Sequence, residues 1–551
     1  MAKVHDNATD LITFSRSSSG TALRRVGYGD ELVDNGDFAT TDISAWDSFD
    51  GTLAVVGGQL ELTYTNATQY VWVEVTTTPG TLYEFSIDCR SDNAVGHKLV
   101  AWSEAFPLGT QIAINPSFVN FSASLTTQTL GVRATTSTTL FMVATQLTSG
   151  TAYFDNISVK EVIFDRATDP LVLFNHPDDT PRIEYGSDGA LKGLLIEEQR
   201  TNYSVDAKVT TSSWAGIRAS IDRSGSATFL DGSVATLLKE DTTVANTHHT
   251  QEINYTDSNS ATIVFSVFVK KPDTNSRPYV QLRISDDAAG ANKLYSVLFD
   301  MSDGSFLDEG SINNPTNTFY GSKQCADGWF RIWCGLTKGG TSTRTDTQIC
   351  LSDSATITSL GNIDVYTGDG VSGLYVAGAQ LEQGSFATSY IPTSGSQETR
   401  WADVASIPVS AFGYNDQAGT WVVNWTNGPD VTDDQQYLLF ITGPAGNLVY
   451  SNAGATSSYA YDGSNVLGHG GWVADQEQTL AVAMSPTEAV SSLDGAAVNS
   501  SAHNGNLTAD RGRTLYLGDR ATGPRPLNGH IKSLKYYPRR LTDAQLQELT
   551  A

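Results

Sequence analysis

"TLYEFSIDC", Thr81 to Cys89, sets Leu82, Glu84, Ser86 and Asp88 against Tyr83, Phe85 and Ile87. Alternation with period two marks a strand that lays one face on a core. "TIVFSVFVKK" (Thr262 to Lys271) and "WFRIWCGL" (Trp329 to Leu336) carry apolar residues on both faces, as strands inside a sandwich do. Asp-Gly, Gly-Asp, Asn-Gly and Pro-Gly turn signals recur between such runs, and long apolar helical stripes are scarce. The pattern predicts an all-β, multidomain chain of β-sandwiches of the jelly-roll kind. One helix is expected, in "RRLTDAQLQELTA" at the extreme C-terminus. There Thr542 and Gln545 can form a capping box, and Leu541, Leu546 and Leu549 can face a sheet.

A chain of 551 residues has room for about three or four domains. Its formal net charge is −26, which speaks against nucleic acid and against anionic lipid as partners, because no basic stripe is available. An acidic surface keeps such a chain soluble. Cys89, Cys325, Cys334 and Cys350 form no CxxC pair, so neither a disulfide framework nor a zinc site is expected. No stretch is apolar enough to span a bilayer, and "MAKVHDNATDLITF" lacks the apolar core of a signal peptide. Synthesis in a cytoplasm without membrane insertion is the expectation.

A weak repeat divides the chain. Each unit opens on a polar segment containing Asn, reaches a Trp (Trp46, Trp214), passes an aromatic-Ser strand and closes on an alternating strand. The reading is one sandwich at 31–162, a second at 203–396 and a C-terminal domain at 397–551. Phe14-Ser15-Arg16 echoes Phe164-Asp165-Arg166, which suggests a small module, 1–30 plus 163–202, interrupted by the first sandwich.

"GLLIEEQRTN" (Gly193 to Asn202), preceded by "PRIEY" (Pro181 to Tyr185), resembles a signature of bacteriophage tail-fibre and related virion proteins. "TFSRSSSGT" (Thr13 to Thr21) resembles the opening of the same module. "GAQLEQGSFATSYIPTSGSQETRWAD" (Gly378 to Asp403) is similar to a second phrase of these proteins, and "DGWFRI" (Asp327 to Ile332) to the strand before it. "LNGHIKSLKYYPRRLTDAQLQELTA" resembles the close of concanavalin A-like, laminin-G-like domains, and "NGDF…W" with "YFDNISV" resembles carbohydrate-binding jelly rolls. The resemblance implies a virion-surface protein, a tail fibre before a head fibre, made in the host cytoplasm. It implies a homo-oligomer, a trimer first, with other virion proteins and host cell-surface glycan as partners. No cofactor is implied, although legume-type lectins place calcium near their sugar.

No GxSxG elbow, HExxH or phosphate-binding loop is present. His248-His249, with Glu252 nearby, would point to opposite faces of one strand. Glu197 and Glu198 are adjacent, whereas glycosidases set two carboxylates across a sugar, usually from different elements. No catalytic residue is assigned, and a depolymerase tailspike ranks behind two non-enzymatic readings: a receptor-binding tail fibre, or a structural or decoration fibre of head or tail. Sugar binding needs flat aromatic faces with amides and carboxylates around them. Trp46, Trp72 and Trp102 are candidates in the first sandwich. In the C-terminal domain they are Trp472, Tyr461, Asp462 and Asn465, with His469 close by, while Trp421 and Trp425 belong to strong strands and read as core. Within the signature, Gly193 permits a tight entry. Glu197 and Glu198 face opposite ways, Arg200 pairs with a carboxylate or with carbonyls, and Asn202 bonds backbone where the chain enters the second sandwich.

Overall fold

The computed structural model describes residues 11–551 except 65–68, 92–95, 105–108, 115–118, 121–124, 146–149, 225–226, 256–260, 287–292, 340–343, 358–361, 429–435, 443–447, 452–457, 462–465, 469–472, 503–512 and 521–524. Among the described residues the regular structure is strand, save for two 3-10 turns and one helix at Asp543–Thr550. The protein is an all-β chain with a concanavalin-like domain at its C-terminus. Two compact units divide it: Arg25–Pro170, and Met1–Arg24 together with Leu171–Ala551. No described helix is long and apolar enough to cross a membrane.

The Arg25–Pro170 unit is a sandwich. One sheet runs Val119–Asn120, Gly96–Ser103, Thr138–Thr145, Gln69–Thr76, Trp46–Phe49; the other is built on Thr126–Arg133, Leu82–Ser91 and Gly150–Phe164. Val71, Val73, Phe85, Ile87, Phe141, Val143 and Phe154 fill the space between them. The alternation in Thr81–Cys89 thus sends Tyr83, Phe85 and Ile87 inward, and Leu82 is buried as well.

The larger unit holds two further sandwiches. In the first of these, one six-stranded sheet runs Ala215–Ile217, His248–Tyr255, Arg344–Ser352, Tyr279–Asp286, Leu294–Asp300, Phe306–Ile312. The facing sheet is centred on Gly373–Gln383, Thr262–Lys270 and Trp329–Thr337. Phe265, Val267, Ile332 and Cys334 are buried between them, so the two-faced apolar runs do lie inside a sandwich.

The C-terminal sandwich recruits strands from far upstream. Its first sheet runs Ile183–Tyr185, Leu191–Ile196, Gly529–Tyr537, Gly419–Thr426, Glu477–Met484, Glu488–Leu493, Asn499–Ala502. The second begins with Thr13–Ser15 beside Val404–Pro408. The segments expected to form a module of their own therefore differ from that expectation. Phe14, Leu194 and Ile196 bury in the same core as Trp421, Trp425 and Leu480. Strands this short cannot satisfy their backbone groups alone and complete an existing sheet instead. The C-terminal helix carries the capping box, with Thr542 Oγ1 accepting from Gln545 N, and packs Leu546 against the Glu477–Met484 and Glu488–Leu493 strands, where Leu541, just before the N-cap, joins the same cluster.

Candidate functional site

The signature lies where three parts of the larger unit meet. Leu194, Leu195 and Ile196 pair with Ile531, His530 and Gly529. At Gly193 φ is +117°, and a Cβ there would sit 2.4 Å from the Ile531 carbonyl oxygen, so only glycine fits this approach. Glu197 and Glu198 then part. Glu197 is buried: its carboxylate lies 2.8 Å from Arg182 and 3.5 Å from Arg400, and it accepts from Ser389 N (2.8 Å) and Ser389 Oγ (2.6 Å). Glu198 is partly exposed; it pairs with Arg200, and its backbone N donates to Asn528 Oδ1 at 2.9 Å.

Asp403, at the end of the second phrase, closes the buried cluster. Its carboxylate takes Arg16 Nη1 at 3.0 Å, Arg182 Nη2, and the backbone N of Glu197 at 3.0 Å, while Asp403 N donates back to the Glu197 carbonyl. Arg16, Arg182, Arg400, Glu197 and Asp403 are all nearly inaccessible. Burial alone would raise the Glu197 carboxyl, but Arg400, Arg182 and the Ser389 bonds outweigh it and hold the group well below the usual carboxylate range. Burial pulls Arg182 down, and Asp403 with Glu197 more than restores it. Asn202 is fully buried: Nδ2 donates to the Ala379 (3.2 Å) and Ile391 (2.9 Å) carbonyls, and Oδ1 accepts from Leu381 N and Ser204 N, both at 3.0 Å. The cluster is a fastening between the second sandwich and the C-terminal one. Its charged side chains are buried. Sequence reasoning missed Arg16, Arg182, Arg400 and Asp403 as members, although all four stand inside the quoted phrases.

The sequence-predicted Trp72 and Trp102 come together on the Arg25–Pro170 sandwich. Val71, Val73, Phe141 and Val143 point into the core, so alternation turns Tyr70, Trp72, Leu140, Met142, Ala144, Val100 and Trp102 to the other face of the sheet, where Val100, Leu140, Met142 and Ala144 form a second buried cluster and Tyr70, Trp72 and Trp102 pack half-buried against it. Register sets Met142 between Trp72 and Val100, and Leu140 between Glu74 and Trp102. Trp72 and Trp102 thus stand diagonally on either side of one central strand, roughly 12 Å apart at their Cα positions from two strand spacings and one two-residue step. Both rings are half-buried against Val100, Leu140, Met142 and Ala144. Phe49 lies opposite Tyr70 and is 47% exposed, and Asp47 lies opposite Trp72. Lys98 lies opposite Ala144. The face is an aromatic platform with charged groups at its margins. Sequence reasoning did not single out Tyr70 or Phe49, although Tyr70 stands two residues from Trp72 in "QYVWVEV" and Phe49 pairs opposite Tyr70.

Trp46 is core, 9% exposed and packed on Phe38 at 5.4 Å between ring centroids. Trp421 and Trp425 are core as well. Trp472, Asp462, Asn465 and His469 lie outside the described residues, as does the side chain of Tyr461. His248 and His249 are both buried, and His248 contacts Tyr366 and Asp241 on the inner side. Among the described residues no group of three or more His, Cys, Asp or Glu is arranged to hold a metal ion.

Residues 383–547 match the concanavalin A-like lectin/glucanases superfamily, in its laminin-G-like branch. That span covers the C-terminal sandwich apart from its upstream strands Thr13–Ser15, Ile183–Tyr185 and Leu191–Ile196, and of the fastening it holds Ser389, Arg400 and Asp403. No curated protein matches the chain. Solved structures with some likeness include a CBM4 domain (16% identity, 23% of this chain and 99% of that one, TM-score 0.21). Another is the CBM22-1–CBM22-2 tandem of Paenibacillus barcinonensis Xyn10C (9% identity, 65% and 98%, TM-score 0.21). A third is mouse laminin α1 domains LG4-5 (12% identity, 54% and 92%, TM-score 0.16). At such TM-scores these likenesses carry no argument.

Proposed function

We propose that the protein is a non-enzymatic glycan-binding component of a phage particle, a tail fibre or receptor-binding protein that engages host-surface polysaccharide. The observation that carries glycan binding is the meeting of the half-buried rings of Tyr70, Trp72 and Trp102 on the face of the sheet away from the main core, over the buried Leu140 and Met142. Flat aromatic faces take the apolar faces of pyranose rings, and Asp47, Glu74 and Lys98 at the margins can bond hydroxyls. The C-terminal match to a lectin superfamily supports the same reading. The phage setting rests on the two phrases, Gly193–Asn202 and Gly378–Asp403. In the buried fastening Glu197 of the first phrase lies 3.5 Å from Arg400 of the second, and Asp403 of the second phrase accepts from the backbone N of Glu197 at 3.0 Å. A homotrimer is the proposed assembly, in which weak sites repeated around an axis add through effective concentration. Calcium is left out of the proposed site.

The test combines position and binding. Labelled antibody against the protein, viewed by electron microscopy on intact particles, should decorate tail fibres. The assembled protein on an array of bacterial surface polysaccharides should retain a subset of glycans and release no oligosaccharide. Label on the head together with an empty array would replace the receptor reading with a decoration fibre. Released oligosaccharide would replace it with a depolymerase.

A further inference from the structure

In the sandwich at 203–396, the strand Thr316–Gln324 is the last of its sheet, and among the described residues it pairs with Trp329–Thr337 alone. On Trp329–Thr337, Ile332, Cys334 and Leu336 fill the core, so alternation sends Arg331, Trp333 and Gly335 to the other face. Register sets Phe319 opposite Gly335, Trp333 opposite Gly321 and Lys323 opposite Arg331. The two rings use the two glycines. A Cβ at Gly335 would sit 2.2 Å from Phe319 Cζ, and one at Gly321 would sit 2.3 Å from Trp333 Cζ2. Each ring therefore reaches across to the neighbouring strand and takes the space of the missing side chain, a pairing that also pins the register. The two pairs are one two-residue step apart, about 7 Å along the strands.

Phe319 and Trp333 stay partly exposed, and neither belongs to the buried cores of this sandwich. The indole nitrogens of Trp46 and Trp329 are buried. That of Trp333 is not, and it has no hydrogen-bond partner among the described residues, so its N–H is a free donor at the surface. Lys323, two residues beyond Gly321 on the same face, is exposed and in no ion pair among the described residues. Burial first, and then the charge of Lys323, push the Lys192 ammonium group down, with Glu184 and Asp475 opposing. Glu184 is itself bonded to His530 Nε2 at 2.5 Å. Two ammonium groups thus meet at one end of an aromatic surface, in a chain of net charge −26.

We propose that this sheet margin binds an acidic saccharide unit, its ring against Trp333 and Phe319, a hydroxyl oxygen on Trp333 Nε1 and its carboxylate on Lys323. An aromatic surface takes the apolar side of a pyranose, and an ammonium group holds a carboxylate as a compact charge with donors that turn to meet it. The rings lie at an open strand edge, so the unit is held on a surface and needs no cavity. The proposal rests on the glycan-binding reading of the protein but not on Tyr70, Trp72 and Trp102.

The test is calorimetric titration of the full-length protein with oligogalacturonate, oligoglucuronate and sialyllactose, each beside its methyl ester. At least one acid should bind, and its ester should not bind at the same concentrations. Lys323→Gln, at an exposed side chain outside any ion pair, should abolish acid binding. Trp333→Ala should weaken it at least tenfold, and Trp72→Ala/Trp102→Ala should leave it intact. Trp333→Phe, which keeps a ring over Gly321, serves if Trp333→Ala lowers the melting temperature; it should bind the acid but lose the change in tryptophan fluorescence that the acid causes in the original protein. No acid bound, equal binding of acid and ester, or a Lys323→Gln protein that keeps full acid affinity would each overturn the proposal, whatever neutral glycans do. Acid binding lost in Trp72→Ala/Trp102→Ala but kept in Trp333→Ala would move the site to the other sandwich and overturn this assignment alone.

Discussion

Replacing Asp403 by asparagine changes one buried group and almost no volume. Asp403 Oδ1 holds Arg16 Nη1 at 3.0 Å; Oδ2 holds Arg182 and the Glu197 amide, with Arg400 Nη1 at 3.8 Å. Two carboxylates face three guanidinium groups in this cluster, all sealed from water. The Asp403→Asn change would leave Glu197 as the remaining anion and turn an amide NH₂ toward a cation. Breaking a buried pair by removing one partner costs about 3–5 kcal/mol, because the charge left behind stays desolvated. At about 2–4 °C per kcal/mol for a domain of this size, the transition of the C-terminal sandwich should fall by roughly 6–20 °C. Differential scanning calorimetry reads this directly. The Arg25–Pro170 unit, which contributes nothing to the cluster, should melt where it does in the unmodified protein. Glu198→Gln is the control: its carboxylate is 34% exposed, so losing the pair with Arg200 should cost less than about 1 kcal/mol. An Asp403→Asn protein melting within about 2 °C of the original, or a Glu198→Gln protein as damaged as Asp403→Asn, would refute the fastening.

Three further outcomes are expected. Gly193→Ala should lower stability by about 2–4 kcal/mol in chemical denaturation, since a Cβ would meet the Ile531 carbonyl at 2.4 Å in a backbone conformation that side chains avoid. Thr542→Ala should lower it by about 1 kcal/mol through loss of the capping box, with helical circular dichroism near the C-terminus reduced in a peptide of that sequence. Acid should destabilise the sandwich at 203–396. Burial first, then the positive charges of Arg283, Arg218 and the neighbouring His248, hold His249 down to about 4, against an ordinary value near 6.5. The unfolded chain therefore takes up a proton that the folded one refuses, and the stability present above pH 6.5 drains as pH falls toward 4, by up to about 3 kcal/mol. His249→Gln should flatten the melting profile between pH 6.5 and 4.

The fold class was legible because each strand carries its own evidence. In Thr81–Cys89, Tyr83, Phe85 and Ile87 face the core as the alternation demands, and Thr262–Lys270 is apolar on both faces because it sits between neighbours. The joining of Leu191–Ile196 to Gly529–Tyr537 was not legible. Sheet pairing across more than 300 residues leaves no local mark, and an apolar run of four residues fits any core. The same limit governs the charges. Glu197 and Glu198 could be assigned to opposite sides from the geometry of an extended chain, but the partners of Glu197 come from Arg182 and Arg400, brought in by separate strands. On the aromatic platform, Trp72 and Trp102 were singled out one by one. Their meeting across Met142 depends on the order of three strands, which no spacing within one strand records.

The most direct test of glycan binding is a titration of the full-length protein and its Trp72→Ala/Trp102→Ala variant with glycans retained on the array. Tryptophan fluorescence and calorimetry would follow it, with Trp401→Ala, at a ring 50% exposed elsewhere, as the control. Loss of each platform ring should weaken neutral glycan binding by at least tenfold, the double variant should bind no neutral glycan, and Trp401→Ala should bind as the original does. A folded double variant that retains the original affinity for neutral glycans would contradict the assignment.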